Sequence, residues 1–331
     1  MLLRCLYIAV VGLMSCSLPV WGEWYSDTQD IMGTEVSATL WHENPVKAKA
    51  ALVAVMSEMR RIDKMLSPYI SGSELYRINE TAAKAPVSIS RELEALIDKS
   101  LYYSQISDGA FDISFASVGR YYDYRRKFQP DSKQRQALLN AIDYRLITLD
   151  KTHHTLFFAK PQLRIDLGGI AKGYAVDRAI SLLRKQGVKH ASVSAGGDSR
   201  VLGDKNGRPW LIGIKNPRAK DQVAVVLPLT DTAVSTSGDY ERYFIDQETG
   251  QRVHHIINPG TGLSVSGVTS VSILGAMGFD TDPLSTTVFV LGVEKGLQLI
   301  NRLKGIDGII IDSKGKMHYS EGLMPPRQNM E

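Results

Sequence analysis

Asp166-Leu-Gly-Gly-Ile-Ala-Lys-Gly-Tyr-Ala-Val-Asp177 is the densest stretch of chemistry in this chain. A strand-like run ends in a carboxylate, two glycines open the backbone to close approach, and a helix from about Ile170 to Lys185 follows, closed by Gly187. Amide hydrogens at such a helix start suit a phosphate, and Lys172 adds positive charge on its first turn. A plainer reading stands beside it: Gly168 and Gly169 merely permit tight packing. The stretch lacks the Gly-x-Gly-x-x-Gly spacing of a dinucleotide fingerprint, which disfavours a Rossmann sheet.

Working outward, helical and strand patterns alternate irregularly. Upstream, Ala51, Leu52, Val55, Met56, Met59, Ile62 and Met65 share one helical face, and Ser90 reads as the N-cap of a second helix that Gly109 stops. A hairpin pattern joins 146–149 to 155–158. Downstream, strand-like runs cover 191–194, 210–214, 223–227 and 268–274. A helix near 282–291, another over 293–303 and a hairpin around 312–315 complete the chain. Several hairpins among mixed helices predict an α+β fold with largely antiparallel sheets, not a doubly wound parallel one.

Two further clusters carry chemistry. In Asp280-Thr-Asp-Pro-Leu-Ser-Thr286, the oxygens of Asp282, Ser285 and Thr286 fall three and four residues apart, on one helical face. Hard oxygen donors with little charge suit Mg²⁺, which keeps waters and leans on substrate phosphates; alternatively, Asp282 is only a helix cap over Ser285. Val234-Ser-Thr-Ser-Gly-Asp-Tyr-Glu-Arg242 and His254-His-Ile-Ile-Asn-Pro-Gly-Thr-Gly262 read as hydroxyl- and glycine-rich cradles for a polar ligand. His255 is a candidate base near neutral pH. Neighbouring histidines on a strand point oppositely, so the pair does not make a zinc site. Asp112, after Gly109-Ala-Phe, and Ala195-Gly-Gly-Asp198 read most simply as turn residues.

Residues 1–22 read as a secretory leader: Arg4 is the one charge, an apolar run spans 6–14, and Gly22 suits cleavage before Glu23. The run is shorter than the ~18 residues a bilayer anchor needs. Leu13-Met-Ser-Cys16 offers a second reading, a lipobox that would lipidate Cys16 and tie the protein to the inner membrane. Both of the chain's cysteines, Cys5 and Cys16, precede Gly22, so residues 23–331, taken as a single domain, hold no disulfide and no thiolate site. A formal charge of +4 with mixed signs marks no nucleic-acid partner.

In order along the chain, Met32-Gly-Thr, Ala110-Phe-Asp, Asp166-Leu-Gly-Gly-Ile-Ala-Lys-Gly, Ala195-Gly-Gly-Asp, Ser235-Thr-Ser-Gly-Asp-Tyr-Glu-Arg and His254-His-Ile-Ile resemble the ApbE family of FAD:protein FMN transferases, from Met32 to about Leu323. The resemblance implies a T-fold-like α+β architecture and transfer of the FMN half of FAD to a Thr or Ser hydroxyl, with AMP released. It implies an FAD site at Met32, Tyr69, Ala110, Phe111, Asp112, Asp166, Lys172 and Ile256. It implies Mg²⁺ held by the Gly169 carbonyl with Asp282, Ser285 and Thr286, and His255 as proton acceptor. The implied partner is a flavoprotein subunit of a membrane or periplasmic electron-transfer system carrying an Asp/Ser-Gly-Ala/Ser-Thr/Ser type of acceptor motif, and the implied location is the periplasm. The chain departs from the family at Asn258, where Asp is usual, and in Tyr121-Tyr-Asp-Tyr-Arg-Arg-Lys127, which lacks the usual proline and tryptophan. Two rival activities use the same residues: an FAD pyrophosphatase giving FMN and AMP, and a non-catalytic FAD carrier.

Overall fold

The structure, a computed structural model, describes residues 22–219 and 222–324, so the leader up to Trp21, and Cys16 with it, lies outside the described residues. The described chain opens on β1 (Glu23–Ile31) and β2 (Thr34–His42), a hairpin turning through Met32 and Gly33. Both turn residues have positive φ, 57° and 68°, as a two-residue hairpin turn demands. In α1 (Pro45–Leu66), Asn44 accepts from the Val46 and Lys47 amides, and the anticipated stripe from Ala51 to Ile62 is buried. The short α2 (Glu74–Thr81) has no counterpart in the sequence reading, because two turns give too few repeats for a period to register. After β3 (Val87–Ser88) comes α3 (Arg91–Ile106), capped by Ser90 as expected. Then follow α4 (Ala116–Gly119), α5 (Ser132–Leu139) and the expected hairpin of β4 (Ile147–Asp150) and β5 (Thr155–Phe158).

The strand expected to end at Asp166 does not form. Residues 163–167 join no sheet, because the Asn79 side chain meets both polar groups of Ile165 (2.8 and 2.9 Å) and Ile113 O accepts from the Asp166 amide. They lead into α6 (Ala171–Lys185), then β6 (Ala191–Ala195), β7 (Asp198–Leu202), β8 (Trp210–Lys215), β9 (Val223–Leu229) and β10 (Ala233–Gly238). The chain continues through β11 (Tyr243–Ile245), β12 (Arg252–His254), β13 (Val268–Gly275), α7 (Gly278–Ile300), β14 (Asp307–Asp312) and β15 (Met317–Tyr319). Helix α7 starts four residues before Asp282, which removes the reading of Asp282 as its cap, and Gly292 (φ 78°) breaks it near the predicted boundary between two helices.

Eight strands form one sheet in the order β1-β2-β6-β7-β10-β13-β14-β15, every neighbour antiparallel, so the fold is α+β. The principal core lies between this sheet and α1, α3, α6 and α7. A second, smaller core of Val118, Tyr122, Leu138, Phe244, Val253 and Ile257 joins the α4–α5 segment to the separate β11–β12 hairpin. Among the described residues no helix is long and apolar enough to cross a membrane.

Candidate functional site

Helices α6 and α7 touch at Gly173 and Gly278, so closely that a Cβ on Gly173 would lie 2.0 Å from Gly278 O. This contact brings Lys172, on α6, against Asp282, on α7. Lys172 Nζ lies 2.8 Å from Asp198 Oδ2 on β7 and 3.5 Å from Asp282 Oδ1, and it donates to Gly168 O at 3.2 Å. The second oxygen of Asp282 accepts from the Gly173 amide at 2.9 Å. Burial opposes the Lys172 charge, but Asp198 and Asp282 outweigh it and hold the ammonium above its usual range. Burial first, and then the Asp198 charge, push Asp282 above the usual carboxylate range, since two buried carboxylates share one lysine. Asp198 Oδ1 is buried with no hydrogen-bond partner.

Hydroxyls line the next turn of α7. Ser237 Oγ on β10 lies 2.8 Å from Ser285 Oγ and 3.3 Å from Thr286 Oγ1, and Ser285 Oγ donates to Asp282 O. Gly169 sits between the Phe111 ring and the Thr286 hydroxyl; a Cβ there would lie 3.2 Å from Phe111 Cε2 and 3.5 Å from Thr286 Oγ1. Gly169 and Thr286 are thus neighbours, and Ser285 and Thr286 meet at Ser237, one turn beyond Asp282 on α7. The donor set fits Mg²⁺ in its chemistry, hard oxygens with a single carboxylate, and the unpartnered Oδ1 of Asp198 lies on the carboxylate that shares Lys172 with Asp282. Among the described residues no group of three or more His, Cys, Asp or Glu is gathered for a metal, so any ion here must add hydroxyl and carbonyl oxygens to the Asp282 carboxylate.

The two histidines have opposite fates. His254 is buried against Phe289, its Nε2 2.8 Å from Val265 O and its Nδ1 3.3 Å from the Ile256 amide, so both ring nitrogens are occupied. Strand β12 ends at His254, yet the His255 amide donates to Arg242 O and extends the pairing by one rung, so His255 faces the other way. His255 Nδ1 is buried and unpartnered. Burial first, then the charges of Arg242 and Lys172, push this imidazole down to about 3, so it is neutral at neutral pH.

Arg242 reaches the first hairpin, its guanidinium donating to Gly33 O beside Met32 at 3.1 Å. Asp166 accepts from the Gly168 amide at 2.6 Å; burial raises its carboxyl, while that bond, Arg242 and Lys172 counteract the rise. Tyr69 is exposed on the segment between α1 and α2. Ala110 and Phe111 follow α3, and Phe111 is buried against Tyr103. Asp112 is saturated by the Ser114 amide and hydroxyl and the Tyr144 amide, so its carboxylate orders the loop. Ile256 is buried, its carbonyl accepting from Val265. The amides expected to be free at the start of α6 are partly used, Ala171 by Leu167 O and Gly173 by Asp282. Asn258 accepts from the Gly260 amide in a turn, a bond an aspartate would make equally well.

Sequence reasoning missed Asp198, Ser237 and Arg242 as site residues. Each lies inside a motif already singled out, but a turn aspartate and a strand serine carry no sign of their partners until β7 and β10 are seen against α7.

Residues 32–310 match the sequence model of the ApbE family. The chain is 31% identical over 332 residues to the FAD:protein FMN transferase of Treponema pallidum, covering 95% of this chain and 91% of that one. It is likewise 31% identical over 291 residues to that of Klebsiella pneumoniae, with 87% and 89% covered. Among solved structures, the ApbE protein of Thermotoga maritima superimposes with a TM-score of 0.83 at 31% identity, covering 91% of this chain and 98% of that one. The flavin transferase ApbE of Vibrio cholerae gives 0.80 at 25% identity with the same coverage.

Proposed function

This chain belongs to the ApbE family, and from that premise we propose that it is an FAD:protein FMN transferase that uses Mg²⁺ and a threonine or serine hydroxyl of a partner flavoprotein. One observation carries the reading: Lys172 bridges Asp198 and Asp282 one turn before the hydroxyls of Ser285 and Thr286, and the buried Nδ1 of His255 is left without a partner. A basic nitrogen free of partners and a cation set among hard oxygens are the parts that phosphoryl transfer needs.

In this mechanism the acceptor hydroxyl attacks the FMN-side phosphorus of FAD. A new P–O bond forms, the pyrophosphate bridge breaks, AMP leaves with the bridging oxygen, and the hydroxyl proton passes to His255 Nδ1. Lys172 and Arg242 place fixed positive charge along the pyrophosphate, preorganised by their bonds to Asp198 and Gly33 O. The exposed Tyr69 offers a ring face for the flavin nucleotide, with Met32, Ala110 and Asp166 around it and Phe111 and Ile256 buried behind them. The Gly169 carbonyl, Asp282, Ser285 and Thr286 would hold the metal, with Asp198 Oδ1 in reserve. Bound there, Mg²⁺ supplies charge that offsets the pyrophosphate and its leaving group. Residues 1–22 act as an export leader in this reading, which places the reaction in the periplasm.

The test is to incubate residues 23–331 with FAD, Mg²⁺ and a candidate acceptor domain, then to weigh the acceptor and assay AMP. A covalent FMN adduct with matching AMP is expected, abolished when the acceptor Thr or Ser becomes Ala. Free FMN with an unchanged acceptor, across several acceptors, would establish the pyrophosphatase instead.

A further inference from the structure

Helix α7 carries the proposed metal-holding face but does not cap itself. Met277, at its N-cap position, makes no side-chain bond to the first turn. The cap comes from α6: Asp177 Oδ1 accepts from the Gly278 amide at 2.9 Å and Oδ2 from the Phe279 amide at 2.8 Å. A carboxylate at a helix start satisfies orphan amides and meets the positive end of the dipole. Asp177 is in turn held by Arg200 on β7, Nη1 to Oδ1 at 2.7 Å.

The arrangement forms a ladder of two ion pairs. Asp198 and Arg200, two apart on β7, face the same side. Lys172 and Asp177 answer them from α6 with reversed polarity, Lys172 to Asp198 and Asp177 to Arg200. The first rung belongs to the site described above. The second is buried, and its bonds to α7 end at Phe279, three residues before Asp282. The glycine contact sets how closely the helices approach, and the cap, bonded to the first two amides of α7, sets the rotation of its first turn.

We propose that Asp177 and Arg200 are positioning residues for the metal centre, fixing the first turn of α7 so that Asp282 faces Lys172 and Asp198. This rests on the reading of Asp282 as the residue that holds the metal. Removing the cap lets the first turn rotate, and Asp282 leaves the geometry set by its bond to the Gly173 amide. Loss of an outer partner of a metal ligand typically weakens binding by roughly 10–100-fold.

The experiment uses residues 23–331 without FAD and titrates Mn²⁺ by electron paramagnetic resonance of the free ion. Asp177→Asn and Arg200→Met are expected to weaken Mn²⁺ binding by about 10–100-fold, with the circular dichroism of the native protein retained. In the transfer assay their half-saturating Mg²⁺ should rise by a similar factor, while kcat at saturating Mg²⁺ stays near wild type. Arg200→Lys, which keeps the charge, should restore most of the affinity, and it carries the comparison if Asp177→Asn does not fold. Wild-type Mn²⁺ affinity in Asp177→Asn and Arg200→Met, with only a lowered Tm, would reduce the pair to a structural brace and overturn the proposal. Asp282→Ala separates the two failures. If it binds Mn²⁺ as wild type does, the assignment of the metal to Asp282 falls and the inference falls with it.

Discussion

His255 and His254 are neighbours with different work, and substitution should separate them. His255→Ala should cost on the order of 10²–10⁴ in transfer rate, the usual loss when a general base is removed, with FAD still bound. His254→Ala should keep its rate per folded molecule but lower Tm, because it empties a site packed on Phe289 and frees two bonded partners. Steady-state kinetics beside thermal unfolding distinguishes these outcomes; equal rate losses in both variants would sink the assignment. The acid side of stability follows from the same groups. Both imidazoles lie below their ordinary range when folded, mainly through burial. The unfolded chain therefore takes up protons first as pH drops below about 6.5. Their stabilisation is present above that pH and is lost progressively as pH falls towards 3, the folded value for His255. Tm should decline from pH 7 to pH 5, and His255→Gln should flatten that decline; an unchanged slope would count against a buried neutral His255.

At the scale of elements, the decisive feature is the contact between α6 and α7. Gly173→Ala should separate the helices, since its Cβ would overlap Gly278 O at 2.0 Å and Asp282 Cβ at 2.6 Å. Overpacking of this kind costs about 1–3 kcal/mol or more. A clear drop in Tm together with loss of transfer is expected; a fully active Gly173→Ala protein would contradict the close approach. That Gly173 exists for helix packing could not be read from the chain, because its partner Gly278 lies more than a hundred residues away. What was legible was local. The stripe of α1, the Ser90 cap of α3, the start of α6 and the break at Gly292 all announce themselves within a few residues. What was hidden was set by tertiary partners: 163–167 stay out of the sheet because Asn79 bonds Ile165, and α7 begins early because Asp177 caps it. The site shows the same division. His255, Asp282 and Lys172 stood out by type and motif, whereas Asp198 acquires its meaning only from the lysine it meets on another element.

Across the whole molecule, the eight-stranded antiparallel sheet and the helices packed on it carry the carboxylates and the lysine, but they do not carry His255. That residue follows a two-stranded ribbon supported by the small core of Val118, Tyr122, Leu138, Phe244, Val253 and Ile257. Tyr122 and Tyr124 reinforce it by donating to Gly262 O and His254 O. Six side chains protect far less surface than the main core, and the free energy of local opening scales with what is buried. The two halves of the site are therefore expected to open with unequal cooperativity. In amide hydrogen exchange, β11, β12 and the α4–α5 segment should exchange well before β10 and β13, at a rate unchanged by small shifts in global stability. A dinucleotide spanning Lys172 and Arg242 would bridge the units, so saturation with FAD and Mg²⁺ should slow exchange in the ribbon more than in the sheet. Uniform protection across both would show that they open together. The substrate, on this account, is also the linchpin that makes two melting units behave as one.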